Sequence, residues 1–174
     1  DPFEWAMEAP DDSLPEDAAS PSASTDGEHP AETDVLASAN VTSSITDATP
    51  ASFYAHQPER YMQGEIALDL LKSDIDFFAG GGSRYFMDTT GIDLFKANGI
   101  QVNYTRLRKI KKPEPGDRYG FLLGPDRMPT MMEGRKDFLK KSAALAIDFL
   151  SGGEPGYFLM IEGSQIDWAG HGNQ

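Results

Sequence analysis

The sequence YFLMIEGSQIDWAGH at residues 157–171 is the most informative part of the 174-residue chain. Its opening apolar run has no polar alternation, which predicts a strand buried on both faces of a sheet. Glu162 follows where that run stops, and Gly163 lets the backbone turn. Asp167 and His171 are four positions apart, so on a helix they share one face. This pattern is typical of a divalent-metal site, and the alternative is a solvated glutamate with a surface Asp–His pair.

The composition bounds the class of protein. With 39% hydrophobic residues and a mean hydropathy of −0.45, the chain has the character of one globular domain. No apolar run approaches the length of a membrane span, and we expect no signal peptide in the sequence as given. The chain has no cysteine, so any metal must be held by oxygen and imidazole ligands.

The formal net charge of −13 is concentrated in the N-terminal third of the chain. The first basic residue is Arg60, and the sequence from there onward is neutral, which argues against nucleic acid or an anionic membrane as partner. Residues 1–34 hold eleven acids, five prolines and no basic residue, which predicts a disordered acidic leader. An interaction tail and a leader that is not native to the domain behind it are the alternatives.

From residue 35 onward, hydrophobic periodicity predicts alternating strands and helices. We expect strands at 35–45, 75–79, 100–107, 119–123 and 157–161, and helices at 63–72, 93–97 and 135–150. Such alternation predicts an α/β layered domain with a largely parallel central sheet. Ligands of these sheets lie at the carboxyl ends of the strands, where Glu162 falls.

Three local patterns have structural interpretations. Thr49 before Pro50 is typical of a helix start, with a hydroxyl N-cap and proline at the first helical position. The glycines at 80–82 lack a following Gly-Lys-Ser/Thr, so a tight turn is favoured over a phosphate loop. The basic residues between 106 and 112 have no interleaved aromatics, which favours a solvated loop over a nucleic-acid surface.

Two segments together resemble the alkaline phosphatases. TSSITDATPASFYAH at residues 42–56 resembles their metal- and phosphate-binding segment, and IEGSQIDWAGH at 161–171 resembles their second metal-binding segment. Both have the family's order and separation. The resemblance implies that residues 35–174 form a partial alkaline-phosphatase-like α/β domain. It also implies a metal-dependent hydrolase of phosphate monoesters.

The resemblance also implies roles for individual residues. Asp47, Thr49 and Glu162 match the ligands of a Mg²⁺ site, which combines two carboxylates with a hydroxyl. Asp167 and His171 match two of the ligands of one catalytic Zn²⁺. Each site is incomplete, because the family's remaining metal ligands lie outside the matched segments.

Arg60 matches the arginine whose guanidinium holds two phosphate oxygens of a monoester or of inorganic phosphate. Its alternative role is that of a surface arginine at a helix end. The family's nucleophilic serine stands in an Asp-Ser-Ala context upstream of the position of Asp47, and no matching segment occurs here. Ser13 follows an aspartate but is too close to Asp47 to be assigned, so no catalytic residue is identified.

We therefore expect a truncated or frame-disturbed fragment of an alkaline phosphatase that is inactive alone. Two alternatives remain: a non-catalytic remnant that binds metal or phosphate, and a related hydrolase or transferase acting on sulfate or another phosphate ester. The family further implies a periplasmic or extracellular location and allows a homodimer, although the residues themselves show neither.

Overall fold

A parallel sheet of five strands dominates the part of the chain that the structure describes. The structure is a computed structural model that describes residues 35–87, 94–110, 114, 116–152 and 156–173. The strands are β1 (Leu36–Ser44), β2 (Ile75–Gly81), β3 (Ile100–Asn103), β4 (Arg118–Gly124) and β5 (Tyr157–Glu162). Their order is β3-β4-β2-β1-β5, and every neighbouring pair is parallel. The predicted α/β class with a parallel sheet is confirmed.

Helices cover both faces of the sheet. The described helices are α1 (Ala48–Ala51), α2 (Gln63–Lys72), α3 (Leu94–Ala97), α4 (Phe138–Leu150) and α5 (Ser164–His171), with a 3-10 turn at Ser83–Tyr85. Consecutive residues of a strand point to opposite faces, so Phe77 and Phe78 belong to different cores. Phe78 packs with residues of α2 and α3, whereas Phe77 packs with Phe149 of α4.

Helix α2 is held at its C-terminal end by an arginine of the sheet. Its apolar stripe is buried as predicted, at Ile66, Ala67, Leu70 and Leu71. The Arg118 guanidinium donates to the carbonyl oxygens of Leu71, Leu70 and Ile75 at 3.0, 3.1 and 3.0 Å. Arg118 therefore adds hydrogen bonds to carbonyls at the end of the helix, where Leu70 also accepts from the Ser73 N–H and hydroxyl.

The glycines at 80–82 join the carboxyl ends of three strands. β2 continues through Gly81, and the turn lies at Gly82, whose φ of 98° is in the left-handed region. A Cβ at Gly81 would lie 2.6 Å from the Asp126 carbonyl oxygen, and one at Gly82 would lie 2.2 Å from the Ser44 Oγ. The glycines thus permit close backbone contact at this edge.

The prediction that residues 157–161 are buried on both faces is wrong. Within the described residues β5 is the edge strand next to β1, and Tyr157, Phe158 and Ile161 are 44%, 42% and 47% exposed. Met160 alone of this strand is buried, against the core shared with α2. The apolar run does form a strand, as predicted, but the run alone does not determine which of its faces are covered.

Element ends also differ from the predictions. Helix α1 begins at Ala48 with Asp47 at the N-cap, so Thr49 lies inside the helix and is not its cap. β3 ends at Asn103 and not at 107, because the Asn103 Oδ1 accepts the backbone N–H groups of Thr105 and Arg106 and closes a turn.

Helix α4 begins at Phe138 and not at 135, and the intervening Lys136 has a φ of 55°, outside the helical region. Arg106, Arg108 and Lys109 are exposed in an irregular segment, in line with the loop interpretation.

The predicted leader at 1–34, the start of the predicted helix at 93 and the basic residues at 111–112 lie outside the described residues. Among the helices that are described, none combines the length and the apolar character required to cross a bilayer.

Candidate metal and phosphate site

Two predicted ligands lie at the carboxyl edge of neighbouring strands. Asp47 follows the end of β1 by three residues, and Glu162 is the last residue of β5. These strands are hydrogen-bonded in parallel, with Val41 opposite Glu162. The topology therefore brings Asp47 and Glu162 to the same edge, where α/β sheets bind their ligands.

The two segments are joined by a chain of hydrogen bonds. The Ser164 Oγ donates to the Ser43 Oγ at 3.0 Å, and the Ser43 Oγ donates to the Ser44 carbonyl at 3.2 Å. The Ser44 backbone N–H donates to the Asp47 Oδ2 at 3.1 Å. The Asp47 carboxylate is therefore held by the backbone of β1, and α5 is joined to β1 at the adjacent Ser43.

Burial is the largest influence on Asp47. Loss of solvation raises the pKa of its carboxyl above the ordinary value, and the negative charge of Asp126 adds to this effect. Hydrogen bonds from Ser44 and Ser43 and the positive charge of Arg60 act in the opposite direction but do not cancel the rise. A bound cation would favour the ionised carboxylate that burial disfavours.

Glu162 carries a buried oxygen that lacks a partner. The side chain is half-buried, and its Oε2 makes no hydrogen bond within the described structure. A buried acceptor left unsatisfied costs free energy, so this atom fits a positively charged ligand. The Glu162 and Asp47 carboxylates and the Thr49 hydroxyl, which lies on the exposed side of α1, are each hard oxygen donors of the kind that Mg²⁺ prefers.

Helix α5 presents the predicted zinc ligands. The Asp167 Oδ1 and the His171 Nε2 lie 3.5 Å apart, and their side chains are 73% and 79% exposed. One carboxylate and one imidazole on adjacent turns suit zinc. Within the described ranges, no group of three or more His, Asp and Glu side chains is arranged to hold a metal. The structure therefore brings this pair together but gathers no third such ligand around it.

Arg60 lies in the turn before α2 and is exposed. Its backbone carbonyl accepts a hydrogen bond from the Gln63 Nε2 at 3.0 Å. This bond does not involve the guanidinium group. Arg60 lines a cavity of about 310 Å³ together with Ala48 and Ser52 of the α1 segment. The positive charge of Arg60 partly offsets the rise that burial causes in the pKa of Asp47. The predicted phosphate-binding arginine therefore interacts electrostatically with a predicted magnesium ligand.

Several residues of this edge were missed by sequence reasoning. Ser43 and Ser164 form the hydrogen bond described above. The one sequence feature that points to it is the run of polar residues at the end of β1. A second group follows β2 and β4, where Arg84 pairs with Asp126 at 3.0 Å and donates to the Tyr85 hydroxyl at 2.7 Å. Nothing in the spacing of these residues indicated the contact.

A parallel α/β sheet with two carboxylates, Asp47 and Glu162, following the carboxyl ends of neighbouring strands is the arrangement expected of a metal-dependent hydrolase. The sequence model of the family described as "Alkaline phosphatase" matches residues 36–174. The chain therefore belongs to the alkaline phosphatase family.

Curated relatives and solved structures agree with this assignment. Alkaline phosphatases 3 and 4 of Bacillus subtilis are 38% and 36% identical to 76% of this chain, which spans only 30% of each. The alkaline phosphatase of the Antarctic bacterium TAB5 matches 82% of this chain at 45% identity and a TM-score of 0.74, over 43% of its own length. A mutant of that enzyme, of equal TM-score and 46% identity, has Mg bound in its M3 site; this chain and that one match over 81% and 42% of their lengths.

Proposed function

We propose that this chain is part of a metal-dependent phosphate monoesterase, in which it supplies part of the metal sites and the phosphate-binding arginine. Asp47, Thr49 and Glu162 would hold Mg²⁺, and Asp167 and His171 would hold Zn²⁺. In the proposed enzyme, divalent cations neutralise the charge that develops on the phosphoryl group. The wider enzyme would act outside the cytosol, and a homodimer is allowed.

The observation that carries the proposal is the placement of Asp47 just after β1 and of Glu162 at the end of the neighbouring β5, with β1 and α5 joined by the Ser43–Ser164 hydrogen bond. A carboxylate whose pKa is raised by burial and a buried carboxylate oxygen without a partner are both costly in the absence of a cation. Membership of the alkaline phosphatase family supports the choice of metal and reaction.

Residues around the proposed metal site also have defined roles in this proposal. Arg60 would hold two phosphate oxygens through its planar guanidinium, which fixes the orientation of the ester. The Ser44 backbone N–H would keep the Asp47 carboxylate in place, since it donates to the Asp47 Oδ2 at 3.1 Å. Exposure of Arg60 and Thr49 at the edge leaves both accessible to a ligand from solvent.

We propose further that the 174-residue chain is catalytically silent by itself. No Asp-Ser-Ala, the context of the family's nucleophilic serine, occurs in the sequence, and the chain spans 30% of each of the two Bacillus subtilis relatives. The isolated chain would therefore bind metal or phosphate without turning over a substrate.

The test is titration of the chain with Mg²⁺ by calorimetry. Asp47→Asn and Glu162→Gln should each weaken Mg²⁺ binding about 10-fold or more, because each removes a ligand charge. Glu65→Gln, an exposed glutamate in the first turn of α2, is the matched control and should bind as the parent chain does. Equal Mg²⁺ affinity in all four proteins would contradict the proposed site.

A chromogenic phosphate monoester at alkaline pH, with zinc and magnesium present, tests the silence of the chain. We expect no release above the uncatalysed rate. Turnover that is abolished both by a chelator and by His171→Ala would show that the isolated chain is an active enzyme.

A further inference from the structure

Gln165 ties helix α5 to two other parts of the fold. The residue is 9% exposed, and its Nε2 donates to the carbonyl oxygens of Met128, Thr42 and Pro129 at 2.6, 3.1 and 3.3 Å. Its Oε1 accepts from the Arg135 Nη1 at 2.6 Å, and its backbone N–H donates to the Thr42 Oγ1 at 3.3 Å. One side chain therefore connects α5 to β1 and to the segment between β4 and α4.

The candidate zinc ligands lie on the opposite side of the same helix. At about 100° per residue, positions 167 and 171 are turned some 200° and 240° from position 165. Their exposures of 73% and 79% against 9% for Gln165 agree with this geometry. Rotation of α5 about its axis would therefore redirect both Asp167 and His171, and the Gln165 contacts oppose such rotation.

Other anchors of α5 are few. The helix has eight residues, a length that is marginal without tertiary contacts. Its buried residues are Ser164 and Gln165, both in the first turn, whereas Ile166 and Trp168 are 79% and 42% exposed. Contacts of the first turn must therefore fix most of the orientation of the helix, and Gln165 makes most of the hydrogen bonds in that turn.

We propose that Gln165 is a positioning residue that fixes the rotation of α5 and thereby the direction in which Asp167 and His171 face a divalent cation. The part that concerns the cation rests on the proposed function, whereas the part that concerns the helix does not. Gln165 touches neither ion nor substrate in this arrangement and acts only through the helix.

The variant Gln165→Met keeps the length of the side chain and removes its polar contacts. Ile166→Met is the matched control, because it places the same side chain on the next residue of α5 at an exposed position. Amide hydrogen exchange in the metal-free chains reports the helix directly. We expect exchange at residues 168–171 to be about 10-fold or more faster in Gln165→Met than in the control, with β1 unchanged.

Equal exchange rates in α5 of both variants would overturn the inference, since the helix would then be held without Gln165. Faster exchange throughout β1 as well as α5 would also overturn it, because the residue would then support the whole fold and not the helix.

Titration with Zn²⁺ and with Mg²⁺ supplies the second readout. Gln165→Met should weaken Zn²⁺ binding about 10-fold and leave Mg²⁺ binding as in the control, because none of the three proposed Mg²⁺ ligands lies on α5. Zinc binding that His171→Ala abolishes but Gln165→Met leaves intact would overturn the positioning role. If the parent chain binds no zinc, the proposed zinc site fails, while hydrogen exchange still decides the role of Gln165.

Discussion

The Oγ atoms of Ser43 and Ser164 lie 3.0 Å apart, although 121 positions separate the two residues in the chain. Ser43 belongs to β1 and Ser164 begins α5, so this hydrogen bond joins the two segments that carry the candidate ligands. The next residue of β1, Ser44, donates its backbone N–H to the Asp47 carboxylate, so α5 is joined to β1 beside the group that holds Asp47.

Ser164→Ala should lower the free energy of unfolding by about 1 kcal/mol, because it removes a buried hydrogen bond and leaves Ser43 with one fewer partner. Urea denaturation of the metal-free chain measures the change. Ser151→Ala is the control: its exposed Oγ donates to the Asp148 carbonyl at 3.1 Å, and its loss should cost less than about 0.5 kcal/mol. Equal losses in the two variants would show that the Ser43–Ser164 contact adds nothing.

Gly82→Ala should destabilise the fold by about 1–3 kcal/mol, because it adds a Cβ at a positive φ and against the Ser44 Oγ. Gly64→Ala provides the contrast, since no atom lies within 4 Å of the added Cβ and the position is helical. We expect Gly64→Ala to raise stability by about 0.5–1 kcal/mol. Urea midpoints give both values, and a neutral Gly82→Ala would contradict the close contact between β1 and the turn after β2.

The sequence was sufficient to predict helices and strands that show a clear apolar pattern within their own length. Helix α2 shows its stripe within ten residues, and β4 is found nearly as predicted. The start of α1 was not predictable from Thr49 and Pro50, because Asp47 occupies the N-cap and the Ser44 backbone N–H holds its carboxylate. Local signals of this kind compete, and tertiary contacts decide between them.

The candidate site was predictable only as a set of residues. Motif resemblance indicated Asp47, Glu162 and His171, but the contact between Ser43 and Ser164 depends on strand order, which no local pattern encodes. Gln165 illustrates the same limit: within the motif it is an ordinary polar residue, and its role follows from the carbonyls of Thr42, Met128 and Pro129 that surround it.

Stability should fall at alkaline pH because of Tyr54. Its buried hydroxyl donates to the Ile45 carbonyl at 2.7 Å, and burial, with smaller effects of Asp69 and Asp47, raises the pKa of this phenol far above its ordinary value of 10.0. The folded state keeps the proton where the unfolded chain releases it. The stabilisation is therefore complete below about pH 10 and declines as the pH rises above that value.

Tyr54→Phe should flatten this decline, at a cost of about 1 kcal/mol at pH 8 for the unsatisfied Ile45 carbonyl. Urea denaturation at several values between pH 8 and 11 measures the slope of stability against pH. Tyr61→Phe, at a position that is 82% exposed, is the control and should retain the parent slope. A parent slope in Tyr54→Phe as well would mean that other groups cause the alkaline decline.

The exposed apolar side chains of the edge strand β5 lead to a prediction about self-association. Tyr157, Phe158 and Ile161 are exposed beside the outer edge of β5, whose far side has no paired strand in the described sheet. Phe158 also contacts Phe53, itself 48% exposed, with ring centroids 5.1 Å apart, which extends the apolar surface beyond the strand. Exposed apolar edge strands are templates for intermolecular pairing, so we expect the 174-residue chain to self-associate at micromolar concentrations.

Ile161→Lys should reduce this self-association, because a charge on an edge strand opposes the approach of a second strand. Ile147→Lys is a well-matched control: Ile147 is 44% exposed and Ile161 is 47% exposed, but Ile147 lies on helix α4 and not on the edge strand. Sedimentation velocity over a concentration series distinguishes monomer from larger species. If both lysine variants lower association equally, net charge and not the β5 edge controls it, and the apolar surface formed by β5 and Phe53 is not the site of contact.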